Sequence, residues 1–418
     1  MSRILIKNIK GLYLTGDDLP LVLRGGQLAK IPYIENAYLA IEDGLIVDYG
    51  SMYDLFGITD WNQLTIIDAS GKFVFPAFCD SHTHTVFAQS REEEFVDKIH
   101  GLSYEEIAAK GGGILNSASV LQNTSEDELY DLAIQRLNEM LSTGTGAVEI
   151  KSGYGLTPEA ELKMLRVIKR LRENHCITVK ATFLGAHAFP LEYRENHKDY
   201  IDAMIAILPI IAQEGLAEFI DVFCEKGYFS IDEMQRFIES AQPYGLTPKV
   251  HVNQFNAFGA VRAAVELGAL SVDHLEEMNT DDYDALEDSA CIPTLLPSCS
   301  FFLNIPFGQA REILNRNLPL ALATDFNPGT TPSSNMLFLW SLACIKMRLT
   351  PEEALSCITL NGAYAMGISK THGSISRGKK ANVLITNTIS GLAYLPYSFG
   401  KNNIQTTILN GQVVWGKD

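Results

Sequence analysis

Both ends of the chain carry the alternating polar and apolar pattern of β-strands. Near the start, the runs ILIKNIKGLYL, AYLAIEDGLIVDYG and LTIIDASGKFVF are rich in β-branched residues and are broken by EDG and ASG turns. Near the end, ANVLITNT and TTILNGQVVWG have the same character, and Asn410-Gly411 between two apolar runs is a hairpin signal. The two ends therefore resemble each other and differ from the middle of the chain.

The middle of the chain alternates short apolar runs with helical patterns. Short apolar runs are typical of parallel strands, which are buried on both faces. Capping signals mark the starts of helices, as with Ser125 before Glu128 and Thr157 before Pro158. The candidate strands are FVFPAFCD, GAVEIKS, ITVKATFLGAH, FIDVFCE, PKVHV, LSVDH, CIPTLLP and LPLALATD. This alternation predicts an α/β fold, a (β/α)8 barrel. An open doubly wound sheet is the alternative, but no glycine-rich phosphate loop follows the first strand.

Composition and charge narrow the functional classes. The 418 residues are 46% hydrophobic and 20% charged, which allows a large core. The net charge of −17 argues against nucleic acid as a partner, and an anionic substrate would need a local cation. The first residues lack the apolar core of a signal peptide, and no apolar stretch is long enough to span a bilayer. With seven scattered cysteines and no CxxC pair, we expect a cytoplasmic protein with reduced thiols.

Polar residues with metal-binding chemistry fall at the ends of most candidate strands. In a (β/α)8 barrel, the catalytic groups lie at the C-terminal ends of the strands. Five of the nine histidines fall there. The strand-end residues are His82 and His84, Glu149 and Lys151, His187, Glu225, His251, His274 and Asp325, whereas the seventh strand ends in LLPSCS without a strong ligand.

Residues His82 and His84 are two apart on a strand, so their side chains point to the same side and can reach one ion. An HxH pair by itself is a weak signal, and a single strand-end histidine is more often a hydrogen-bonded core residue. The number of histidines at one end of the predicted barrel favours a metal site over a set of core histidines. Imidazole and carboxylate ligands suit zinc or iron. The other histidines are interpreted as surface residues: His100, His175, His197 and His372.

The pattern of these strand-end histidines and the aspartate resembles that of the amidohydrolase superfamily and, within it, the imidazolonepropionase family. The matching stretches run from about Asp80 to Thr330 and are SREEEF, SYEEIAAKGGGI, EIKSGYGL, ELKMLRVI, TFLGAHAFP, DVFCEKG, DHLE and LATDFNPGT. The resemblance implies a hydrolase barrel over residues 75–368 and a small composite β-sandwich built from residues 1–74 and 369–418. It also implies hydrolysis of 4-imidazolone-5-propanoate to N-formimidoyl-L-glutamate in histidine degradation.

The resemblance also implies a metal site with one zinc or iron ion per chain. Its ligands would be His82, His84, His251 and Asp325, which leaves a position for water. The ion would lower the pKa of that water and polarise the lactam carbonyl. Asp325 is expected to take the water proton. His274, free of the metal, would stabilise the oxyanion or shuttle a proton.

The same resemblance assigns the substrate-binding residues. Arg91 would bind the propionate of the anionic imidazolone with its fork-shaped guanidinium. The competing interpretation pairs Arg91 only with the glutamates at 92–94. The remaining expected contacts are Tyr154, His187, Gln254, Asn327, Gly329 and Thr330, with Tyr104 as a weaker candidate.

The chain departs from the family pattern at Ala77 and Ser81, where we expect only a change in packing. Gln254 stands where some relatives have a carboxylate. An amide cannot take a proton, so the role of base shifts to Asp325 and His274. Some amidohydrolases bridge two metals with a carbamylated lysine, but no second ligand set is evident, and Lys151 is interpreted as structural or electrostatic.

Two other functions remain open from the residues alone. The first is another cyclic amidohydrolase or a deaminase of the same superfamily, against which SREEEF and EIKSGYGL argue. The second is a non-catalytic scaffold relative, although such relatives usually lose metal ligands and all four are present here. A homodimer is one assembly that the sequence allows.

Overall fold

Two eight-stranded sheets make up the computed structural model, which describes residues 3–56, 64–102, 106 and 110–416. The strand patterns of the two chain ends form one sheet, and the eight apolar runs of the middle form the other. The predicted (β/α)8 barrel with a separate β-domain built from both chain ends is confirmed, and the part expected as a small β-sandwich forms one eight-stranded sheet.

The sheet of the β-domain joins the two ends of the chain. Its strands are β1 (Arg3–Tyr13), β2 (Tyr33–Glu42), β3 (Leu45–Ser51), β4 (Leu64–Asp68) and β5 (Phe73–Pro76), and then, from the end of the chain, β14 (Val383–Thr386), β15 (Ile404–Leu409) and β16 (Gln412–Gly416). Their order is β16-β15-β14-β5-β1-β2-β3, and β4 pairs with β1. The two ends meet where Leu384 pairs antiparallel with Phe75. The domain boundary expected at residue 75 therefore falls inside β5.

The barrel strands lie in sequence order and are all parallel. They are β6 (Phe78–Thr83), β7 (Thr145–Lys151), β8 (Thr178–Ala186), β9 (Phe219–Cys224), β10 (Thr247–Val252), β11 (Ser271–His274), β12 (Ile292–Leu295) and β13 (Ala321–Leu322). The end of the first strand meets the segment that follows the last strand: the His84 amide donates to the Phe326 carbonyl (2.8 Å), and the Asp325 amide donates to the His82 carbonyl (3.0 Å). This closure places the polar residues of β6 next to those that follow β13.

Helices surround the barrel. They are α1 (Glu92–Ile99), α2 (Gly113–Asn123), α3 (Glu126–Ser142), α4 (Pro158–Asn174), α5 (His197–Ile205), α6 (Leu208–Glu214), α7 (Ile231–Ala241), α8 (Ala260–Glu266), α9 (Thr280–Glu287), α10 (Pro297–Leu303), α11 (Ala310–Asn315), α12 (Met336–Met347), α13 (Pro351–Ile358), α14 (Leu360–Ala365) and α15 (Tyr394–Tyr397). The predicted caps form: Ser125 accepts from the Glu128 amide, and Thr157 from that of Ala160. Among the described helices, none is both long and apolar enough to cross a bilayer.

Aromatic packing joins the barrel to the β-domain. Trp340 of α12 is fully buried, and its ring lies edge-on to Phe75 of β5 and Phe78 of β6, at centroid distances of 6.1 and 6.2 Å. The departure at Ala77 is accommodated in the same region. A Cβ on Gly146 would lie 2.5 Å from the Cβ of Ala77, so the glycine of the neighbouring strand leaves room for the alanine methyl group.

The interpretation of His372 as a surface residue is wrong. Its side chain is buried, with 4% of the residue exposed, and its ring nitrogens lie 3.0 Å from the Thr178 hydroxyl and 2.8 Å from that of Thr371. The contact with Thr178 crosses 194 residues of chain, so no local pattern predicts it.

Candidate metal centre and active site

The strand-end histidines and the strand-eight aspartate converge at one end of the barrel. His82, His84, His251, His274 and Asp325 are each at most 3% exposed. Nε2 of His82 and Nε2 of His84 lie 3.6 and 3.5 Å from Oδ1 of Asp325. The rings of His82 and His251 are 4.4 Å apart between centroids. Parallel strands carry these side chains to the same edge of the sheet, as the sequence pattern predicts.

Strained backbone positions two of these side chains. His274, at the end of β11, has a φ of 89°, and Asp325, after β13, has a φ of 55°. Side-chain-bearing residues seldom adopt positive φ, and such strain concentrates at functional sites. The two residues follow or end barrel strands β13 and β11, so the strained positions lie at the mouth of the barrel.

The donor set fits a divalent metal ion. In the groups His82–His84–Asp325 and His82–His251–His274, one possible ligand atom from each residue lies within 4.8 Å of the others. Nε2 of His82 and Nε2 of His251 are buried, and neither has a hydrogen-bond partner in the part of the chain that the structure describes. Buried polar atoms are nearly always paired, so these two are donors prepared for an ion. Nitrogen and carboxylate oxygen together suit zinc or iron.

Burial keeps the histidines in the state that a metal requires. It lowers the pKa of His82, His84 and His251 well below the ordinary value, so the imidazoles are neutral at physiological pH. Burial raises the pKa of Asp325 to about 6. For His274, burial lowers the pKa, but the carboxylates of Glu276, Asp325 and Asp273 outweigh this effect and the net pKa is raised.

The cavity beside these residues has a volume of about 390 Å³. Every residue that the sequence predicted to bind substrate, apart from Tyr104, lines it together with four of the five metal-site residues. Tyr104 lies outside the described residues. The lining residues are His84, Arg91, Glu94, Lys98, Ile114, Tyr154, His187, Phe223, Tyr228, His251, Gln254, Phe255, His274, Leu303, Ile305, Asp325, Asn327, Gly329 and Thr330.

The guanidinium of Arg91 is only partly satisfied by protein groups. Its Nε donates to the Ser117 hydroxyl (2.8 Å) and lies 3.9 Å from Oε1 of Glu94. Glu92 instead accepts from Ser90. Nη2 of Arg91 is buried and, within the described ranges, has no hydrogen-bond partner. The interpretation that Arg91 only pairs with its neighbouring glutamates therefore leaves one arm of the guanidinium unexplained.

The loop after β13 is organised by the side chain of Asn327. Its Oδ1 accepts from the amides of Gly329 and Thr330, both at 2.8 Å, and its Nδ2 donates to the Asp325 carbonyl (2.6 Å). The Thr330 hydroxyl donates to Oδ2 of Asp325 (3.2 Å). The loop thus places Gly329 directly against the arginine, since a Cβ there would lie 2.6 Å from Nη1 of Arg91.

His187 and Gln254 also line the cavity. Nδ1 of His187 lies 2.9 Å from the Gly153 carbonyl, which can only accept, so Nδ1 carries the proton. Burial lowers the pKa of His187 to about 4, and the neutral ring therefore presents Nε2 as an acceptor. The Gln254 amide donates to the Cys299 sulfur (3.8 Å).

Sequence reasoning missed the carboxylates behind the histidines. Oδ2 of Asp273 lies 2.7 Å from Nδ1 of His82, and Oδ2 of Asp221 lies 2.9 Å from Nδ1 of His251. The available signal was a carboxylate inside an apolar strand run, as in LSVDH and FIDVFCE. Glu225, by contrast, does not line the cavity, because it accepts from the Phe255 amide and the Asn256 side chain, both at 2.9 Å.

Comparison with known proteins agrees with this geometry. The Amidohydrolase family matches residues 73–414. The imidazolonepropionase of Flavobacterium johnsoniae is 56% identical over 411 residues, which cover 98% of this chain and 99% of that protein. That of Christiangramia forsetii is 56% identical over 412 residues, 98% of this chain and 100% of that protein. A triazine hydrolase variant superposes with a TM-score of 0.76 at 16% identity, over 99% of this chain and 95% of that chain. The atrazine chlorohydrolase of Arthrobacter aurescens complexed with zinc superposes with a TM-score of 0.71 at 15% identity, over 99% of this chain and 95% of that chain.

A barrel of eight parallel strands with convergent metal donors at one end is the architecture of a TIM-barrel enzyme whose active site can hold a metal ion. The chain belongs to the amidohydrolase family and, within it, to the imidazolonepropionases. It is an enzyme, a hydrolase that acts on a small molecule. The family and the donor set together support a divalent metal ion as its cofactor.

Proposed function

We propose that this chain hydrolyses 4-imidazolone-5-propanoate to N-formimidoyl-L-glutamate, a step in histidine degradation. The observation that carries the proposal is the guanidinium of Arg91, whose buried Nη2 has no hydrogen-bond partner among the described residues, in the same cavity as the metal donors. A small cyclic amide with a carboxylate tail would place its ring at the donors and its tail on Arg91. The identity of 56% with imidazolonepropionases supports the same substrate.

We propose His82, His84, His251 and Asp325 as the ligands of one zinc or iron ion. When bound, such an ion polarises the lactam carbonyl and lowers the pKa of water. Water adds to the carbonyl carbon, the ring C–N bond breaks, and the nitrogen that leaves must receive a proton. The residues of this chain supply the proton transfers and the alignment.

Asp325 is proposed as the base that accepts the proton of the attacking water. Its Oδ1 faces His82 and His84, whereas its Oδ2 accepts a hydrogen bond from the Thr330 hydroxyl, so the carboxylate is held in one orientation. His274 is proposed to stabilise the oxyanion and to protonate the leaving nitrogen. Nδ1 of His274 lies 3.4 Å from Oε2 of Glu276, which favours the protonated ring.

The proposed substrate contacts follow from the hydrogen-bonding capacity of each side chain. Nη2 of Arg91 binds the propionate, while Nε2 of His187 accepts from a ring N–H. Gln254 and Tyr154 line the same cavity. Asn327 uses both its amide oxygen and its amide nitrogen within its own loop, so it acts on the substrate by placing Gly329 and Thr330.

A turnover assay tests the proposal. Metal-loaded enzyme should convert imidazolonepropionate to a product that has gained one water, as mass spectrometry would show. A deaminase of the superfamily would instead release ammonia and leave the ring closed. Loss of the substrate without ring opening, or ammonia release from an amino-substituted ring alone, would overturn the assignment. The homodimer and the cytoplasmic location expected from the sequence stay predictions.

A further inference from the structure

One lysine is fully buried beneath the metal site, at the end of β7. Nζ of Lys151 lies 2.8 Å from Oδ2 of Asp221, 3.0 Å from Oε1 of Glu149 and 3.8 Å from Oδ2 of Asp273. All four residues have no exposed surface. A charged group in the interior of a protein is rare unless it is paired, and here one cation is shared by three carboxylates.

Two of these carboxylates are the partners of proposed metal ligands. The oxygen of Asp273 that faces Lys151 is the same atom that lies 2.7 Å from Nδ1 of His82. The oxygen of Asp221 that accepts a hydrogen bond from the Lys151 ammonium lies 2.9 Å from Nδ1 of His251, although this second contact lacks the alignment of a hydrogen bond. The other oxygen of Asp221 accepts from the His251 amide (3.1 Å).

The carboxylates decide which histidine nitrogen faces the metal. A carboxylate only accepts, so a histidine beside it carries its proton on the nearer nitrogen, Nδ1. In His82 the lone pair then remains on Nε2, the one ring nitrogen without a hydrogen-bond partner among the described residues; in His251 neither ring nitrogen has such a partner, and the carboxylate of Asp221 lies nearest Nδ1. Such partners are known to orient metal-binding histidines and to raise metal affinity.

We propose that Lys151 is a positioning residue for the metal ligands. Its ammonium contacts both Asp221 and Asp273, and through these two carboxylates it fixes the orientation of the His82 and His251 rings relative to each other. The two histidines come from strands β6 and β10, which lie far apart in sequence, and Lys151 is the group that both of their carboxylate partners share. This role rests on the proposed ligand set. It goes beyond the structural or electrostatic role expected from the sequence.

A second buried lysine offers a matched control. Lys249 of β10 also has no exposed surface, but its ammonium donates to the Ala365 carbonyl (2.8 Å) and it has no ion pair with any described residue. Substitution of either lysine by methionine removes a buried charge from a barrel strand. Only the Lys151 substitution removes the common partner of the two carboxylates.

Zinc affinity of the apo-protein, measured by competition with a chromogenic chelator, tests the proposal. Lys151→Met should weaken zinc binding about ten- to a hundredfold, the usual effect of losing a partner that orients metal ligands. The visible spectrum of the cobalt-substituted protein, which reports ligand geometry, should change as well. Lys249→Met should leave both unchanged whatever it does to thermal stability. Because Lys151 acts in part through Asp273, the loss of zinc affinity in the double variant with Asp273→Asn should be smaller than the sum of the two single losses.

A charge-matched variant separates positioning from folding. Glu149→Gln with Lys151→Met removes one positive and one negative group together, and Glu149 contacts neither histidine. This variant should fold even if Lys151→Met does not, and its zinc binding should still be weakened. If either variant folds and binds zinc with wild-type affinity and an unchanged cobalt spectrum, or if neither folds, Lys151 serves the fold alone and the proposal is overturned. Failure of the wild-type protein to bind zinc would instead refute the ligand set.

Discussion

Substitution of Gly329 by alanine should weaken binding of the substrate without destabilising the fold. The added Cβ would lie 2.6 Å from Nη1 of Arg91 and 3.2 Å from its Cζ, whereas ordinary contacts begin at 3.4 Å. The guanidinium is the far end of a flexible side chain, so it can move away by about 0.8 Å or more while the backbone stays in place. The cost falls on substrate binding, because the displaced fork no longer matches both carboxylate oxygens.

The size of the effect follows from the contact that is lost. A hydrogen bond to a charged group contributes about 1.5–3 kcal/mol, so KM should rise roughly ten- to a hundredfold. Steady-state kinetics with imidazolonepropionate would measure this, and the melting temperature should stay near that of the wild type. Gly391→Ala, where a Cβ would meet no atom within 4 Å, is the matched control and should change neither quantity.

Two results would refute this reasoning. A substrate analogue without the carboxylate should be handled equally by the wild type and Gly329→Ala, so an equal loss with both substrates would mean that the loop, and not Arg91, has moved. The combination of Gly329→Ala with Arg91→Ala should be no worse than Arg91→Ala alone, since both changes remove the same contact. Additive losses would show that the glycine acts on something other than the arginine.

Four further outcomes are expected. Arg91→Ala should raise KM by a similar factor and Arg91→Lys by less, with the metal content unchanged by elemental analysis, because lysine keeps the charge and loses the fork. Asp325→Asn should lower kcat by orders of magnitude even in enzyme that retains metal, since an amide takes no proton; near-normal turnover would move the base to His274. Purified enzyme should hold about one equivalent of zinc or iron per chain, and chelation should abolish turnover and lower the melting temperature, because the ion binds only the folded state. Thr350→Ala removes the hydroxyl that caps α13 and should cost about 1 kcal/mol of unfolding free energy in a denaturant titration, with kinetics unaffected.

Local pattern determined the elements and the order of the barrel. Strand and helix periodicities are set by neighbouring residues, and the eight apolar runs between helices therefore predicted the parallel strands that the structure contains. The strand-end positions of His82, His251 and Asp325 followed from the same pattern, because the carboxyl ends of parallel strands meet at one edge. The two β-rich chain ends were also evident, but their joining through Leu384 and Phe75 spans more than 300 residues and came only from the resemblance to a family.

Only the tertiary structure decided which side chains touch. Asp221 lies beside His251, Asp273 lies beside His82, and Lys151 contacts both carboxylates. These residues lie on different strands, and the distances between them along the sequence do not predict the contacts. Closure of the barrel brings them together in a dry interior, where unpaired charges are costly.

The same holds for the contact between Gly329 and Arg91, which lie on the loops beyond the last and first barrel strands. It holds also for His372, a buried residue whose ring contacts Thr178, 194 residues away. Periodicity in a sequence records which face of an element is buried. The partner across that face is set by how distant elements pack, and packing is a property of the closed fold.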